Sequence, residues 1–348
     1  MEAIEPNPPL EPPEGPWVDW SNLPTDLLQD ISKKLHDIFD FVYFRAVCKK
    51  WRSATSISDL PPQLPWLLEH RLTVRNNETL RFYSIFSDKI RTIHCPPARD
   101  KYLSGPSHGY LYSSRTSTYD SLKPEFSLLN PITKDVLPIE CMRYYRPFLV
   151  CMGPDPIGSY DYMAFMDVSF SQTIGFYQLH NRQWNYVQMP SRELNLNHAC
   201  LKGTYYMNED GTGDTVVVDI ACGSSCIIPS PKTPDSSDHV YFVESAGKIL
   251  RIVKQSNQSF DIYHLHVEDE IGQSRWVKIN SIGDQILFLD WRGGISITAS
   301  PSTGLRGNCV YYLGTPGLQK YNIEDGQTEN VLCPFLNGST WFVPNVVD

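Results

Sequence analysis

Residues 176–190 read FYQLHNRQWNYVQMP, and this pattern decides the fold class because it recurs along the chain. An aromatic or β-branched run, a polar turn and a second such run are typical of a β-hairpin. Related stretches occupy residues 82–96, 126–139, 216–229, 263–279 and 319–334. The six stretches can be aligned at one position each, which is Arg91, Val136, Trp184, Cys226, Trp276 and Val331. Successive positions in this alignment are 45, 48, 42, 50 and 55 residues apart. A β-repeat of about 40–50 residues is the period of a propeller blade.

Short aromatic strands alternate with these hairpins, and the last of them is STWFVP at residues 339–344. If this strand pairs with the first hairpin near residue 82, the sheets form a closed ring that leaves only short edges. The repeat predicts a propeller of about six blades, and residues 280–300 could supply strands for a seventh. An irregular β-sandwich is the alternative arrangement of the same strands.

The stretch LPTDLLQDISKKLHDIFDFVYFRAVCKKWRSAT, residues 23–55, is different in character. Leu27, Ile31 and Leu35 recur every four residues, as on one face of a helix. Pro24 suits the first helical position, which would make Leu23 the N-cap. We expect two or three short helices here. So small a unit rarely folds without a second surface, and spacing alone leaves open whether it caps the β-domain or binds a partner.

The chain therefore divides into four parts. Residues 1–16 carry six prolines and four glutamates and are predicted to be a disordered leader. Residues 17–56 form the helical module, residues 57–78 a stiff proline-rich linker, and residues 79–345 the propeller. The fold class is α+β multidomain, with a short all-α module followed by an all-β propeller.

Composition excludes several classes of protein. The formal net charge is −9, which disfavours a nucleic-acid partner. No apolar run reaches the roughly 18 residues of a membrane span, and the N-terminus lacks the pattern of a secretory signal. Nine scattered cysteines include no CxxC pair, so neither a disulfide framework nor a zinc ribbon is indicated. We expect a cytoplasmic or nuclear protein, or one found in both, with no nucleic-acid or membrane partner.

Catalytic and ligand-binding motifs are weak. GPSHG at residues 105–109 matches GxSxG, but a strand rather than a helix is predicted to follow it, against a nucleophile elbow. His264 and His266 share a strand face without a third metal ligand at a recognisable spacing. Trp184 and Trp276 are predicted to lie in blade cores. We therefore predict no catalytic residue, no metal site and no cofactor.

The helical module resembles the F-box motif almost position for position: Leu23-Pro24, Asp26-Leu27-Leu28, Ile31, Leu35, Asp40-Phe41, Phe44-Arg45, Val47-Cys48 and Trp51-Arg52. This resemblance implies binding of a Skp-type adaptor, which links to a cullin and so to ubiquitin transfer. It favours the partner-binding interpretation of the module. The residues predicted to carry the adaptor contact or its supporting packing are Leu23, Pro24, Leu27, Leu28, Ile31, Leu35, Val47 and Trp51.

The C-terminal half is similar to the plant F-box proteins whose C-terminal domain was long catalogued only as of unknown function. Residues 276–314, residues 60–68 and TWFVP at residues 340–344 carry this resemblance. It implies a non-catalytic substrate receptor of an SCF-type ubiquitin ligase, in which the propeller recruits a protein target. The alternatives are a scaffold that holds the adaptor without promoting degradation, and a propeller lectin or enzyme. The target, and any need for its phosphorylation, cannot be read from the sequence.

Overall fold

The computed structural model of the chain contains two compact units, which divide between Pro62 and Gln63. It describes residues 19–35, 37–56, 60, 63–69, 78–107, 109–115, 125–140, 162–167, 173–178, 182–190, 194–235, 238–268, 273–291, 293–299, 304–314, 317–335 and 339–345. The predicted leader, residues 1–16, lies outside the described residues.

The first unit is helical, as predicted. A short 3-10 turn at Trp20–Asn22 precedes α1 (Thr25–Ser32), α2 (Ile38–Ala46) and α3 (Lys49–Ser53). The predicted start of α1 is wrong by one residue. Pro24, with φ −55° and ψ 143°, is the N-cap, and its carbonyl accepts the first helical hydrogen bond from the Leu28 N–H at 3.1 Å. Leu23 therefore precedes the cap, and its side chain packs against the buried cluster of the unit.

The described part of the second unit is almost entirely β-strand, with a short 3-10 turn at Pro96–Ala98. The strands are β1 (Trp66–Leu68), β2 (Thr79–Ser84), β3 (Lys89–His94), β4 (Tyr102–Ser107), β5 (Tyr110–Arg115), β6 (Glu125–Leu129), β7 (Val136–Ile139), β8 (Tyr162–Asp167), β9 (Thr173–Gln178), β10 (Gln183–Gln188), β11 (Leu194–Leu201), β12 (Thr204–Glu209), β13 (Thr215–Asp219), β14 (Ser224–Ile228), β15 (His239–Ser245), β16 (Lys248–Lys254), β17 (Phe260–His266), β18 (Arg275–Ile279), β19 (Gln285–Asp290), β20 (Gly293–Thr298), β21 (Cys309–Leu313), β22 (Leu318–Asn322), β23 (Thr328–Asn330) and β24 (Thr340–Phe342).

These strands form six sheets. In chain order the sheets are β24-β1-β2-β3, β4–β7, β8–β10, β11–β14, β15–β18 and β20-β19-β21-β22-β23. Consecutive sheets from the second to the sixth share buried apolar clusters, and the sixth shares one with the first. β24 of the first sheet packs against β4 of the second. The sheets therefore follow one another around a ring, as in a propeller.

The number of blades differs from the prediction. Five sheets have the four or more strands of a complete blade, and the third has three described strands. The structure thus shows five complete blades, and the expectation of six or seven is wrong. Residues 285–290 and 293–298, within the segment suggested for a seventh blade, form β19 and β20. They belong to the sixth sheet because β19 pairs in parallel with β21.

The first sheet closes the ring with the last strand, but not by the predicted pairing. β24 pairs with β1, where Leu67 lies opposite Trp341, and β1 in turn pairs with β2. Residues 66–68 were predicted to belong to a linker, yet they form the strand between β24 and the first hairpin. Their burial explains the correction, because Trp66, Leu67 and Leu68 are at most 4% exposed. A run of three fully buried residues lacks the alternation that marks a half-exposed strand.

Indole groups join neighbouring sheets at three places. The Nε1–H of Trp276 donates to Thr215 Oγ1 at 3.1 Å, and that of Trp184 donates to the Glu140 carbonyl at 2.8 Å. Trp341 Nε1–H donates to the Leu289 carbonyl at 3.1 Å. Trp276 is buried in the cluster between the fourth and fifth sheets, and Trp184 packs at 5.2 Å from Tyr177. The predicted blade-core position of Trp276 is confirmed, whereas Trp184 is only partly buried and packs against the border of its cluster.

Replacing Trp276 with phenylalanine is expected to lower the free energy of unfolding of the propeller by about 1 kcal/mol. The substitution keeps an aromatic ring but leaves the buried Thr215 hydroxyl without its indole donor. Chemical denaturation followed by circular dichroism measures the change. Tyr102→Phe is the matched control, because the Tyr102 side chain is exposed and its loss of a hydroxyl should cost under about 0.5 kcal/mol. Equal effects of the two substitutions would contradict the prediction.

Candidate functional site

The buried side of the helical unit is formed by residues from all three helices. Leu28 of α1, Phe44 of α2 and Ala54 after α3 form its central cluster. On α1, Leu28 and Ser32 are one turn apart and both buried, so this face of the helix points inward. Burial of the Leu28 side chain contributes about 1.5–3 kcal/mol. The inward face is thus fixed by a few large side chains.

A second face of α1 remains in solvent. Leu27 and Ile31 are also one turn apart, and they are 50% and 39% exposed. Val47, the C-cap of α2, is exposed as well, and so is Pro24. Large exposed aliphatic side chains in a unit this small are typical of a protein-binding surface. These four are the predicted site residues that solvent reaches most.

The other four predicted site residues belong to the interior or its border. Leu28 is fully buried, and Leu23, Leu35 and Trp51 pack against the central cluster. The Trp51 ring lies 4.5 Å from the Phe44 ring, and its Nε1–H donates to the Trp20 carbonyl at 3.0 Å. Their placement is consistent with packing that supports the adaptor-binding surface, which is one of the two roles predicted for the eight residues. Which of the eight residues touch an adaptor stays a prediction.

Two further exposed aromatic residues escaped the sequence analysis. Trp20 is 62% exposed in the 3-10 turn, and Tyr43 is 66% exposed on α2. We call Trp20, Leu27, Ile31, Tyr43 and Val47 the exposed apolar set. Trp20 precedes the motif and Tyr43 lies between its positions, so neither is marked by the resemblance. The sequence signal for Tyr43 is helical spacing, because Phe41 and Phe44 share one face of α2 and Tyr43 lies on another. Trp20 has no such signal in the sequence.

Polar caps hold the ends of these elements. Asp19 accepts hydrogen bonds from the Ser21 hydroxyl at 2.5 Å and from the Ser21 N–H at 3.0 Å. The Ser21 hydroxyl and then its N–H lower the pKa of the Asp19 carboxyl. Asp37 caps α2 by accepting from the Phe39 N–H at 2.9 Å. Such caps satisfy helical N–H groups that have no partner within the helix. They also determine where the 3-10 turn at Trp20–Asn22 and the helix α2 begin.

Residues 105–107 of the GPSHG stretch and the pair His264 and His266 lie on β-strands of the propeller. Ser107 of GPSHG ends β4, and the antiparallel strand β5 comes next rather than a helix. His266 lies 3.5 Å from Glu268, whereas His264 contacts the Leu265 carbonyl. Within the described ranges no group of three or more His, Cys, Asp or Glu residues is arranged to hold a metal ion. No helix in that part of the chain is long and apolar enough to span a bilayer.

Comparison with protein families assigns both units. Residues 20–62 match the family model described as F-box domain. Residues 82–335, more than half of the chain, match the family model described as KIB1-4 beta-propeller. The first match contains the whole exposed apolar set. The second runs from Phe82 in the middle of β2 to Phe335 in the segment after β23.

Curated relatives from Arabidopsis thaliana are similar over most of their length. F-box/kelch-repeat protein At1g64840 is 25% identical, and the alignment covers 90% of each chain. F-box protein SKIP23 is 23% identical, with 85% of this chain and 84% of the relative aligned. F-box/kelch-repeat protein At2g24250 is 26% identical over 78% of this chain and 75% of its own. The similarity therefore spans the helical unit and the propeller together.

Proposed function

Because this chain belongs to the KIB1-4 beta-propeller family and is an F-box protein with a C-terminal propeller, like its plant relatives, we propose that it is the substrate-receptor subunit of an SCF-type ubiquitin ligase. In this proposal the helical unit binds a Skp-type adaptor, and through it a cullin. The propeller binds a protein target. We place the complex in the cytoplasm, the nucleus or both.

The observation that carries the proposal is the exposed apolar set within the F-box domain. Five of the twelve large hydrophobic side chains that are exposed in the described chain lie in this short unit. While these side chains are exposed to water, they do not contribute to the free energy of folding. Burying them in a complex stabilises that complex by about 25 cal/mol per Å² of apolar surface.

The proposed mechanism is positional. The receptor makes and breaks no bond. Holding a target beside the ubiquitin-charged enzyme turns an encounter between two molecules into one within a single complex, and raises the effective concentration of target lysines. A rigid propeller suits this role because its six sheets are joined through shared buried clusters.

Reconstitution from purified components tests the proposal. We expect the full chain to elute with a plant Skp-type adaptor as a 1:1 complex in size-exclusion chromatography. With a cullin–RING module and charged conjugating enzyme, lysines of the receptor itself should then become ubiquitinated, and omission of the adaptor should abolish the reaction. Separate elution of the two proteins at about 10 μM, a concentration well above the Kd of a stable complex, would contradict the proposal. Stable binding without ubiquitin transfer would support the scaffold role instead.

A further inference from the structure

The loop between β14 and β15 contains two serine or threonine residues that precede proline. Residues 229–235 read PSPKTPD, so Ser230 is followed by Pro231 and Thr233 by Pro234. Pro231, Lys232 and Thr233 are exposed, and Ser230 is half-buried. A residue before proline is biased toward extended backbone, the form in which protein kinases bind peptide segments. Both Ser230 and Thr233 therefore have the sequence of a substrate for proline-directed kinases, and Thr233 is exposed whereas Ser230 is exposed only in part.

A buried arginine lies under this loop. Arg251 of β16 is completely buried, and its Nη2 donates to the Ser230 hydroxyl oxygen at 3.0 Å and to the Gly213 carbonyl at 3.1 Å. Its Nε and Nη1 have no hydrogen-bond acceptor among the described residues. A buried donor without an acceptor is costly, and more so when it carries charge. The Arg251 guanidinium therefore has N–H donors available for an additional anionic group.

The electrostatics of Arg251 agree with this geometry. Burial lowers the pKa of its guanidinium to about 10, although Tyr263 and Asp214 act in the opposite direction. The nearby negative groups therefore offset only part of the cost of burying the charged guanidinium. Asp214 also lies beside Ser230, because its Oδ1 accepts the Ser230 backbone N–H at 2.7 Å.

We propose that Ser230 is a phosphorylation site for a proline-directed protein kinase, and that the Arg251 guanidinium binds the resulting phosphate. In the transfer, Ser230 Oγ attacks the γ-phosphorus of ATP, and the bond from that phosphorus to the β–γ bridging oxygen breaks. ADP leaves, and the serine proton passes to the carboxylate base of the kinase. The inference concerns the propeller alone and does not depend on adaptor binding.

The phosphate would change the balance of charge at the junction of the fourth and fifth sheets. It adds a charge of about −1.5 to −2 and three acceptor oxygens, which match the unused N–H donors of a planar guanidinium. Asp214 opposes the added charge, so the net effect depends on Arg251. With Arg251 present the phosphate should stabilise the loop, and without it the same phosphate should destabilise the loop.

Thr233 provides an internal comparison. It also precedes proline and is exposed, but only Ser230 is bonded to Arg251 in the described loop. Ser300 and Thr315 precede proline as well, so both are replaced by alanine in the test chain. In that chain the variants Thr233→Ala and Ser230→Ala leave one Ser-Pro or Thr-Pro site each. A phosphate on Thr233 is expected to leave the unfolding temperature unchanged.

The experiment treats the full chain with a proline-directed kinase and ATP, and locates phosphate by mass spectrometry. We expect stoichiometric modification of Ser230 in Thr233→Ala, with a rise in the thermal midpoint of about 2–4 °C. In Thr233→Ala combined with Arg251→Met the midpoint should fall on phosphorylation instead. Modification of Thr233 but not of Ser230 in the wild-type chain, or a midpoint that falls in both backgrounds, would overturn the proposal.

A second measurement needs no change at Arg251, in case Arg251→Met does not fold. A phosphate held by the guanidinium should be removed by a phosphatase at least tenfold more slowly from Ser230 than from Thr233. Equal rates of removal from the two positions would also overturn the proposal.

Discussion

Trp341→Ala is expected to lower the free energy of unfolding of the propeller by about 3–5 kcal/mol, the cost of removing a large buried aromatic side chain. Trp341 is 1% exposed and lies in the cluster between the sixth and first sheets, with its ring 5.0 Å from that of Phe288. Its indole N–H donates to Leu289, so alanine removes both packing and a hydrogen bond. Thermal and chemical unfolding of the full chain measure the change.

The environment of Trp341 makes this position more sensitive than other core sites. Asp290 is buried at the end of β19, and its Oδ2 accepts from the Thr340 hydroxyl at 2.6 Å and from the Trp341 N–H at 3.0 Å. Loss of the Trp341 side chain loosens the strand on which both donors lie. Trp341→Phe is the matched control and should cost only about 1–2 kcal/mol, because the ring is kept. An alanine variant as stable as the phenylalanine variant would show that β24 does not depend on this side chain.

The double variant Leu27→Ser with Ile31→Ser is expected to weaken adaptor binding at least about 100-fold. Each aliphatic side chain contributes about 1.5–3 kcal/mol when it is fully buried in a complex, and a loss of 1.4 kcal/mol corresponds to about tenfold in affinity. Folding should change little, because both side chains are already exposed in the free chain. Isothermal titration calorimetry with the purified Skp-type adaptor measures the affinity, and circular dichroism verifies the helices.

The chain offers a matched control in Gln29 of α1 and Lys33, the C-cap of that helix. Gln29 and Lys33 are also four residues apart and exposed, and they lie about 200° around the axis from Leu27 and Ile31. Gln29→Ser with Lys33→Ser should bind the adaptor like the wild-type chain. Leu23→Ala with Pro24→Ala is a less clean test, because Leu23 packs against the buried cluster. Equal affinities of the two serine pairs would contradict the proposed face.

The repeat was sufficient to predict an all-β propeller, because each blade needs the same alternation of strands and turns. It was not sufficient to predict how the chain uses residues 285–298. Their strand character is clear in the sequence, but the parallel pairing of β19 with β21 is a contact between non-consecutive strands. Hairpin patterns specify only neighbours in sequence. The same reason explains β1, whose partner β24 lies at the other end of the propeller sequence.

The sequence was sufficient to predict which residues belong to the candidate site, but not which of them face solvent and which face the interior. Leu27 and Leu28 are adjacent leucines with equal hydrophobicity, yet one is half exposed and the other is fully buried. A helical period places Leu27 with Ile31 and Leu28 with Ser32, but it does not say which pair faces inward. That choice depends on Phe44 and Ala54, which pack against Leu28 from other elements. Tertiary packing thus determines which positions of the motif are exposed and which are buried.

The pairing of β24 with β1 has a consequence for the order of events during protein synthesis. Because a chain emerges from its N-terminal end, β1 is made before every other described strand of the propeller, and its partner β24 is made after all of them. Until β24 arrives, the buried faces of Leu67 and Phe288 lack the cover of Trp341. A nascent chain therefore carries an uncovered apolar edge through most of its translation, and such edges recruit chaperones or aggregate. A truncation that removes the β24 segment should therefore yield a propeller that does not fold stably, because the apolar side chains beside Trp341 stay uncovered.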